Sequence, residues 1–231
     1  MTPENGWITD GMIYSNGGEI LSPDRRSVNF ATPEVFEVFQ MWQDFYNSGA
    51  YAHGSEMEQI EQFMAGNVGM HLQSTSVYSG IKNASEAAGW EVLGVEMPRF
   101  GDRPSVPVNS GAALTVRSES ADESLAIWEF IKYVTGPVGY TIITSEVGYL
   151  PLNKEIADDP AYLKGFVDEN PILRTNINQL ARLRPITIWP GEQGTEISRV
   201  FMDMVVEAVS TTRNVEDTIR QAQDRINGML Q

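Results

Sequence analysis

Few residues of this chain have the types and spacing that catalysis needs. His53 and His71 are its only histidines, and neither lies in a His-Glu-x-x-His arrangement. The sequence contains no Gly-x-Ser-x-Gly nucleophile turn, no phosphate-binding loop and no Gly-x-Gly-x-x-Gly motif. Asp158 and Asp159 precede Pro160 and are most simply interpreted as a helix cap. We therefore predict that the chain is not an enzyme, although its many carboxylates leave a glycosidase-like pair as an open alternative.

The sequence contains more candidates for binding a polar ligand than for catalysis. Ser110-Gly111 opens a short apolar run and Gly148-Tyr149 ends a helical segment, so both turns place backbone or a polar aromatic ring at the end of an element. Ser74 follows a predicted strand and precedes a predicted helix, where a hydroxyl and free N–H groups can meet a sugar hydroxyl or a phosphate. Two plainer interpretations stay open: Ser74 only caps the helix, and Gly111 only allows tight strand packing.

Two of the five tryptophans are candidates for stacking on a ligand. Trp7 and Trp189 have glycine or proline neighbours and are predicted to lie in loops. A sugar ring has an apolar face of C–H bonds that stacks well on an aromatic ring. The alternative is that these rings cover the core, as Trp42, Trp90 and Trp128 are predicted to do from their positions in helical stripes or strand runs.

Composition narrows the possible partners. The chain has 231 residues, with 31 acidic and 16 basic side chains and a net charge of −15. Nucleic acid and anionic membranes require a basic face, so neither is an expected partner. The absence of cysteine excludes disulfides, zinc–thiolate sites and cysteine nucleophiles, and no cofactor is predicted.

Alternating strands and helices must position these residues, which predicts an α/β fold. Short apolar runs predict strands over 68–72, 90–97 and 112–116. A helix starting at Thr32-Pro33 carries the apolar stripe Val35, Phe39, Trp42 and Tyr46. A later helix, over about 121–134, is apolar around more than half its circumference and should be largely buried. Two amphipathic helices end the chain, and the breaker-rich segment 99–107 is the best linker candidate.

The ordered set of these motifs resembles a known family. The series runs from Phe63-Met64-Ala65-Gly66 through the strand ending at Pro98 to the segment between Pro107 and Pro151. It is similar to the extracellular solute-binding proteins of ABC importers, family 1, of the sugar- and glycerol-phosphate-binding type. The resemblance implies that Gly111 offers a backbone N–H to ligand and that Tyr149 faces the cleft. Gly191 stands where glycerol-phosphate binders place an arginine, which favours a neutral carbohydrate.

The family resemblance implies a periplasmic-binding-protein-like type II fold with ligand bound between two lobes. Residues 1–95 and 141–231 would form the two parts of the second lobe, and residues 96–140 would be a segment returning to the first lobe. The sequence starts without a signal peptide or the rest of the first lobe, so we expect a fragment of a longer, membrane-anchored lipoprotein. Because its first-lobe segment would have an unpaired sheet edge, we also expect a domain-swapped or edge-paired homodimer.

The predicted function is carbohydrate capture for import, in the periplasm or outside the cell, with ABC permease subunits as the membrane partners. A binder of glycerol phosphate or another polyol phosphate is the first alternative. A carbohydrate-active hydrolase lobe and an interaction module without a small ligand are alternatives from other classes. The predicted ligand-binding residues, taken together, are Ser74, Gly111, Tyr149, Trp7, Trp189, Ser110 and Gly191.

Overall fold

A computed structural model describes residues 5–51, 54–109, 111, 113–151 and 153–230. Helices dominate this part of the chain, and none of those described is both long and apolar enough to cross a membrane. The α-helices are α1 (Gly6–Ser15), α2 (Pro33–Asn47), α3 (Glu56–Met64), α4 (Tyr78–Ala88), α5 (Ala121–Val134), α6 (Pro137–Val147), α7 (Glu155–Asp158), α8 (Lys164–Glu169), α9 (Pro171–Gln179), α10 (Gly194–Ser210) and α11 (Val215–Met229). Two short 3₁₀ turns cover Thr75–Val77 and Leu180–Arg182.

Strand pairing among the described residues consists of a small parallel ladder and one isolated bridge. Strand β1 (Val108–Asn109) pairs with β2 (Arg184–Pro185), and Val108 lies opposite Arg184. A single antiparallel bridge joins Leu21 to Val28. The strands predicted over 68–72, 90–97 and 112–116 form no ladder among the described residues, of which Ala112 is not one. A strand is stable only when its N–H and C=O groups are paired, and these apolar runs have no neighbour in the described chain to pair with.

The main hydrophobic core lies between α2, α10 and α11, with α1 packed beside them. In α2 the predicted stripe is confirmed, because Val35, Phe39 and Trp42 are fully buried. The two amphipathic C-terminal helices are also confirmed: Ile197, Val200, Phe201, Met204 and Val205 of α10 and Ile219, Ala222 and Ile226 of α11 are buried. A helix spacing of three and four residues puts these side chains on one face, so periodicity alone located this core.

A second, smaller core is built by α7, α8 and α9. Its buried members are Ile156, Ala157, Leu163, Val167, Leu173 and Ile177. Tyr78 at the start of α4, Tyr140 in α6 and Leu150 pack against it. This core therefore holds α4 and α6 near each other, although the two helices are more than forty residues apart in sequence.

Helix α5 is exposed, contrary to the sequence-based expectation. None of its residues is buried, and Leu125, Trp128 and Phe130 are 55–60% exposed. Its neighbour α6 also exposes apolar side chains, including Val138 and Ile142. The apolar side chains of a helix can be buried only if a second layer of structure packs against them. In the described chain, α6 is the only substantial neighbour of α5. Leu125, Trp128, Phe130, Val138 and Ile142 are called the apolar face below.

The turn between α10 and α11 depends on one buried amide. Gln43 Nε2 of α2 lies within 3.0 Å of the carbonyl oxygens of Ala208, Thr211 and Arg213. Gln43→Met is expected to lower the free energy of unfolding by about 2 kcal/mol, because the change strips buried carbonyls of their donor. Urea unfolding of Gln43→Met beside the control Gln221→Met, at an exposed position of α11, measures this; equal losses in both variants would contradict it.

Candidate ligand-binding surface

The Ser74 turn is a capped 3₁₀ turn. Ser74 Oγ accepts a hydrogen bond from the Ser76 N–H at 3.2 Å and lies 3.0 Å from Ser76 Oγ. The Ser74 N–H donates to Gln73 Oε1 at 2.6 Å. The capping interpretation of Ser74 is therefore confirmed. A capping hydroxyl keeps further hydrogen-bonding capacity because its oxygen has two lone pairs and one proton, so the cap is compatible with the ligand contact that was predicted.

The Gly148-Tyr149 turn lies directly against the Ser74 turn. Gly148 adopts the left-handed conformation that ends α6, with φ of 93°. A Cβ added at Gly148 would lie 2.8 Å from the carbonyl oxygen of Thr75, so the two backbones approach closely. The Tyr149 side chain is 49% exposed and is not taken up by a core. Two of the predicted positions, Ser74 and Tyr149, are thus on adjoining turns.

A hydrogen-bonded series of side chains connects Trp7 to these turns. Asn5 caps α1 by accepting from the Trp7 N–H at 3.1 Å, and its Nδ2 donates to Glu56 Oε1 at 3.2 Å. Gln73 Nε2 donates to the same Glu56 oxygen at 2.8 Å. We call Asn5, Glu56, Gln73 and Ser74 the polar row. The row joins three elements that are far apart in sequence.

Trp7 lies at the Asn5 end of the polar row. The prediction that Trp7 lies in a loop was wrong, because it occupies the first turn of α1. Because Asn5 caps α1, the helix begins at Gly6, one residue before Trp7. Its ring remains 37% exposed, so the change of element leaves it accessible to a ligand.

Trp189 and Gly191 line a separate groove at the start of α10. The groove has a volume of about 790 Å³ and is also lined by Thr187 and Thr195. Trp189 is partly buried against the main core, with its ring 5.2 Å from that of Phe201. The alternative interpretation of Trp189, that its ring covers the core, thus describes part of its role. Gly191 has φ of 81° and open space around it, which lets the chain turn into α10.

Helix α1 ties this groove to the polar row. Asp10 Oδ2 accepts from the Thr187 N–H at 2.8 Å, and the hydroxyls of Tyr14 and Thr187 are 2.9 Å apart. The Arg184 guanidinium lies 3.8 Å from the centre of the Tyr14 ring and forms two hydrogen bonds of 2.8 Å to Glu19. Burial raises the pKa of Asp10 from 3.8 to about 6, against the lowering effect of its Thr187 hydrogen bonds and of Arg184.

The sequence analysis missed Asp10, Glu56 and Gln73. Asp10 is the only charged residue between Ile8 and Tyr14, which was the available signal, because an isolated carboxylate among buried residues needs a partner. Glu56 and Gln73 gave no comparable signal, since both are ordinary surface residue types. Among the described residues, no group of three His, Cys, Asp or Glu side chains is placed to hold a metal ion.

Gly111 is the predicted position with the weakest connection to the others. Gly111 is exposed, two residues after β1, and a Cβ added to it would meet no atom within 4 Å. Tight packing, the alternative reading of this glycine, is therefore wrong. Ser110 lies outside the described residues. The contact of Gly111 and Ser110 with ligand stays a prediction.

The Gly148 contact gives a direct test of the turn geometry. Gly148→Ala is expected to lower the free energy of unfolding by about 2 kcal/mol, because it combines left-handed strain with a clash against the Thr75 carbonyl. Gly191→Ala is the matched control: its φ is also positive but its surroundings are open, so only the strain of about 1 kcal/mol is expected. Equal losses in urea unfolding would show that the two turns do not touch.

The chain belongs to the family of bacterial extracellular solute-binding proteins, whose family model matches residues 1–175. Solved structures agree with this assignment. The cyclic α-maltosyl-1,6-maltose binding protein from Arthrobacter globiformis is 25% identical, with a TM-score of 0.78 over 97% of this chain and 55% of its own. No curated protein matches the chain significantly.

Two further structures show the same fold at lower identity. An ABC transporter solute-binding protein from Thermotoga lettingae TMO, bound with α-D-tagatose, is 18% identical with a TM-score of 0.74 over 100% of this chain and 57% of its own. The maltose/maltodextrin-binding domain from Bdellovibrio bacteriovorus, bound to maltotriose, is 14% identical with a TM-score of 0.73 over 99% of this chain and 58% of its own. The α/β periplasmic-binding-protein fold class is confirmed, and the chain spans little more than half the length of these relatives.

Proposed function

We propose that the chain is the carbohydrate-binding part of an ABC-importer solute-binding protein, which captures a neutral sugar without making or breaking a bond. The observation that carries this proposal is the polar row, which has a half-exposed tryptophan near one end and a half-exposed tyrosine near the other. Exposed aromatic faces flanking fixed hydrogen-bonding groups suit a sugar ring, which is apolar on its faces and polar around its edge. The relative from Arthrobacter globiformis, which binds a cyclic maltose derivative, supports the same ligand class.

Charge favours a neutral ligand over a polyol phosphate. Two arginines near the Trp189 groove are paired with acids, Arg184 with Glu19 and Arg199 with Glu196 and Asp203, and the Arg25 guanidinium donates to the Ile188 carbonyl oxygen at 2.5 Å. The polar row contributes a carboxylate and no cation. A phosphate is bound most strongly by positively charged donors, and the polar row offers none.

The domain organisation follows the family resemblance. Residues 1–95 and 141–231 belong to the second lobe, and residues 96–140, which include α5, return to the first lobe. The apolar face on α5 and α6 is where further first-lobe structure would pack, which fits the 55% of the Arthrobacter relative that the chain covers. In the whole protein the two lobes close around the ligand and deliver it to ABC permease subunits. The protein acts in the periplasm or, as a lipoprotein, at the outer surface of the cell.

Binding to defined sugars tests the function. The chain supplies only one side of the proposed cleft, so much of the contact area with a ligand is missing. It should therefore bind maltotriose or α-D-tagatose with a dissociation constant in the millimolar range. Trp7→Ala should weaken this binding by about tenfold, the effect of losing one stacking ring. Calorimetry or NMR titration measures both.

The control variant is Trp128→Ala, whose ring lies on the apolar face. It should bind like the unaltered chain. Micromolar affinity would contradict the one-sided cleft, preference for sn-glycerol 3-phosphate would favour the polyol-phosphate alternative, and turnover of nitrophenyl glycosides would favour the hydrolase alternative.

A further inference from the structure

Glu56 is an exposed carboxylate at the first position of α3, in the middle of the polar row. We propose that Glu56 is a ligand-binding residue that accepts hydrogen bonds from two neighbouring hydroxyls of a neutral sugar and rejects anionic ones. This inference rests on the proposed function and assigns the group that sets its specificity.

The carboxylate is held in place but is only half engaged. Its Oε1 accepts from Asn5 Nδ2 at 3.2 Å and from Gln73 Nε2 at 2.8 Å. Its Oε2 has no hydrogen bond to a described residue. A carboxylate has about four acceptor sites, so two donors leave room for a pair of hydroxyls on the second oxygen.

The elements around Glu56 fix its position. Helix α3 begins with a capping box in which the Ser55 N–H donates to Glu58 Oε2 at 2.7 Å and Ser55 Oγ accepts from the Glu58 N–H. Asn5 is fixed by capping α1, and Gln73 by accepting from the Ser74 N–H. A protein side chain that is already oriented loses little conformational entropy when a ligand binds. Pre-orientation of the Glu56 carboxylate therefore favours hydrogen bonds to sugar hydroxyls, which bind weakly.

The position of Glu56 connects it to both aromatic rings. On one side Asn5 leads to Trp7, and on the other Gln73 and Ser74 lead to the turn that carries Tyr149. Hydrogen bonds from neutral hydroxyls to a charged acceptor are stronger than those to a neutral one, whereas a phosphate would be repelled.

A purely structural role for Glu56 makes a different prediction. Glutamine at this position keeps one oxygen that can accept from Asn5 and Gln73, so Glu56→Gln preserves the cross-link between the turns while it removes the charge and replaces the acceptor Oε2 with an NH2 donor. If the cross-link were the whole role, Glu56→Gln would bind like the unaltered chain. If the carboxylate binds ligand, affinity falls while the free energy of unfolding stays the same.

The experiment is an NMR titration of the chain, its Glu56→Gln variant and the matched control Glu61→Gln, with maltotriose, α-D-tagatose and sn-glycerol 3-phosphate as probes. Glu61 is an exposed acid on the same helix. We expect Glu56→Gln to weaken binding of the neutral sugar by about tenfold and to reduce the preference over glycerol phosphate, as loss of a charged acceptor predicts. Glu61→Gln should change neither quantity.

Failure of this inference and failure of the proposed function are distinguishable. If the unaltered chain binds sugar and Glu56→Gln binds it equally well, Glu56 is not a ligand residue, but the carbohydrate-binding function stands. If the unaltered chain binds no sugar at tens of millimolar, both are overturned. Urea unfolding of the three proteins shows whether each variant keeps its fold.

Discussion

Replacing Asp10 with asparagine is expected to raise the free energy of unfolding by about 3 kcal/mol at pH 7. Asp10 is 2% exposed, and burial raises its pKa from 3.8 to about 6. At neutral pH the native protein must therefore keep a charge in a poorly solvated position, which destabilises it. Asparagine carries no charge, and its Oδ1 can still accept from the Thr187 N–H.

The pH dependence identifies the cause of this gain. A carboxyl whose pKa is higher in the native state contributes stability below its unfolded pKa, and that contribution is lost as the pH rises through about 6. Below about pH 4 both proteins are neutral at position 10 and should be similarly stable, so the advantage of the variant should appear between about pH 4 and pH 7. Urea unfolding across this pH range measures the difference in unfolding free energy between Asp10→Asn and the unaltered protein. The contributions of the other carboxylates cancel in that difference.

Asp224→Asn provides the control for Asp10, because Asp224 is exposed on α11. Its unfolding free energy should follow that of the unaltered protein at every pH. Parallel curves for Asp10→Asn and the unaltered protein would show that Asp10 is well solvated.

Self-association through the apolar face is the second large effect that we expect. Leu125, Trp128 and Phe130 expose more than half of their surface, and burying one such side chain contributes about 1.5–3 kcal/mol. The chain should therefore dimerise as its concentration rises. The double variant Leu125→Glu/Phe130→Glu should weaken dimerisation by about a hundredfold or more, because two charges would be desolvated at the interface.

Sedimentation analysis of the double variant, with Thr212→Glu as control, measures this effect. Thr212 is exposed in the turn after α10, so a charge there should leave association unchanged. A clean monomer at high concentration would contradict the predicted dimer. An unchanged dimer in the double variant would place the interface elsewhere.

Much of the fold was predictable from local patterns. The helix starting at Pro33 and the two C-terminal helices were recognised because apolar residues spaced by three and four must lie on one face. The end of a helical segment at Gly148 was recognised because glycine commonly ends helices. Trp7 was misplaced in a loop because its helix starts at a single asparagine cap, which is a weak signal beside the glycine that follows it.

The candidate site was predictable only in part. The Ser74 and Tyr149 positions could be chosen from turn chemistry, but their contact depends on the second core, which brings α4 and α6 together. The roles of Glu56 and Gln73 depend on hydrogen bonds between elements 17 and 51 residues apart. No local pattern encodes such distances.

The amino-acid sequence by itself determined the longer amphipathic helices, the main core and the absence of cysteine chemistry, because these depend on residue type and short-range periodicity, and its ordered motifs carried the resemblance to the solute-binding family. The tertiary structure alone decided which side chains meet and which apolar surfaces remain uncovered. Helix α5 shows the difference: its composition is that of a buried helix, yet it is exposed, because burial depends on the layer that packs against it and not on the helix alone.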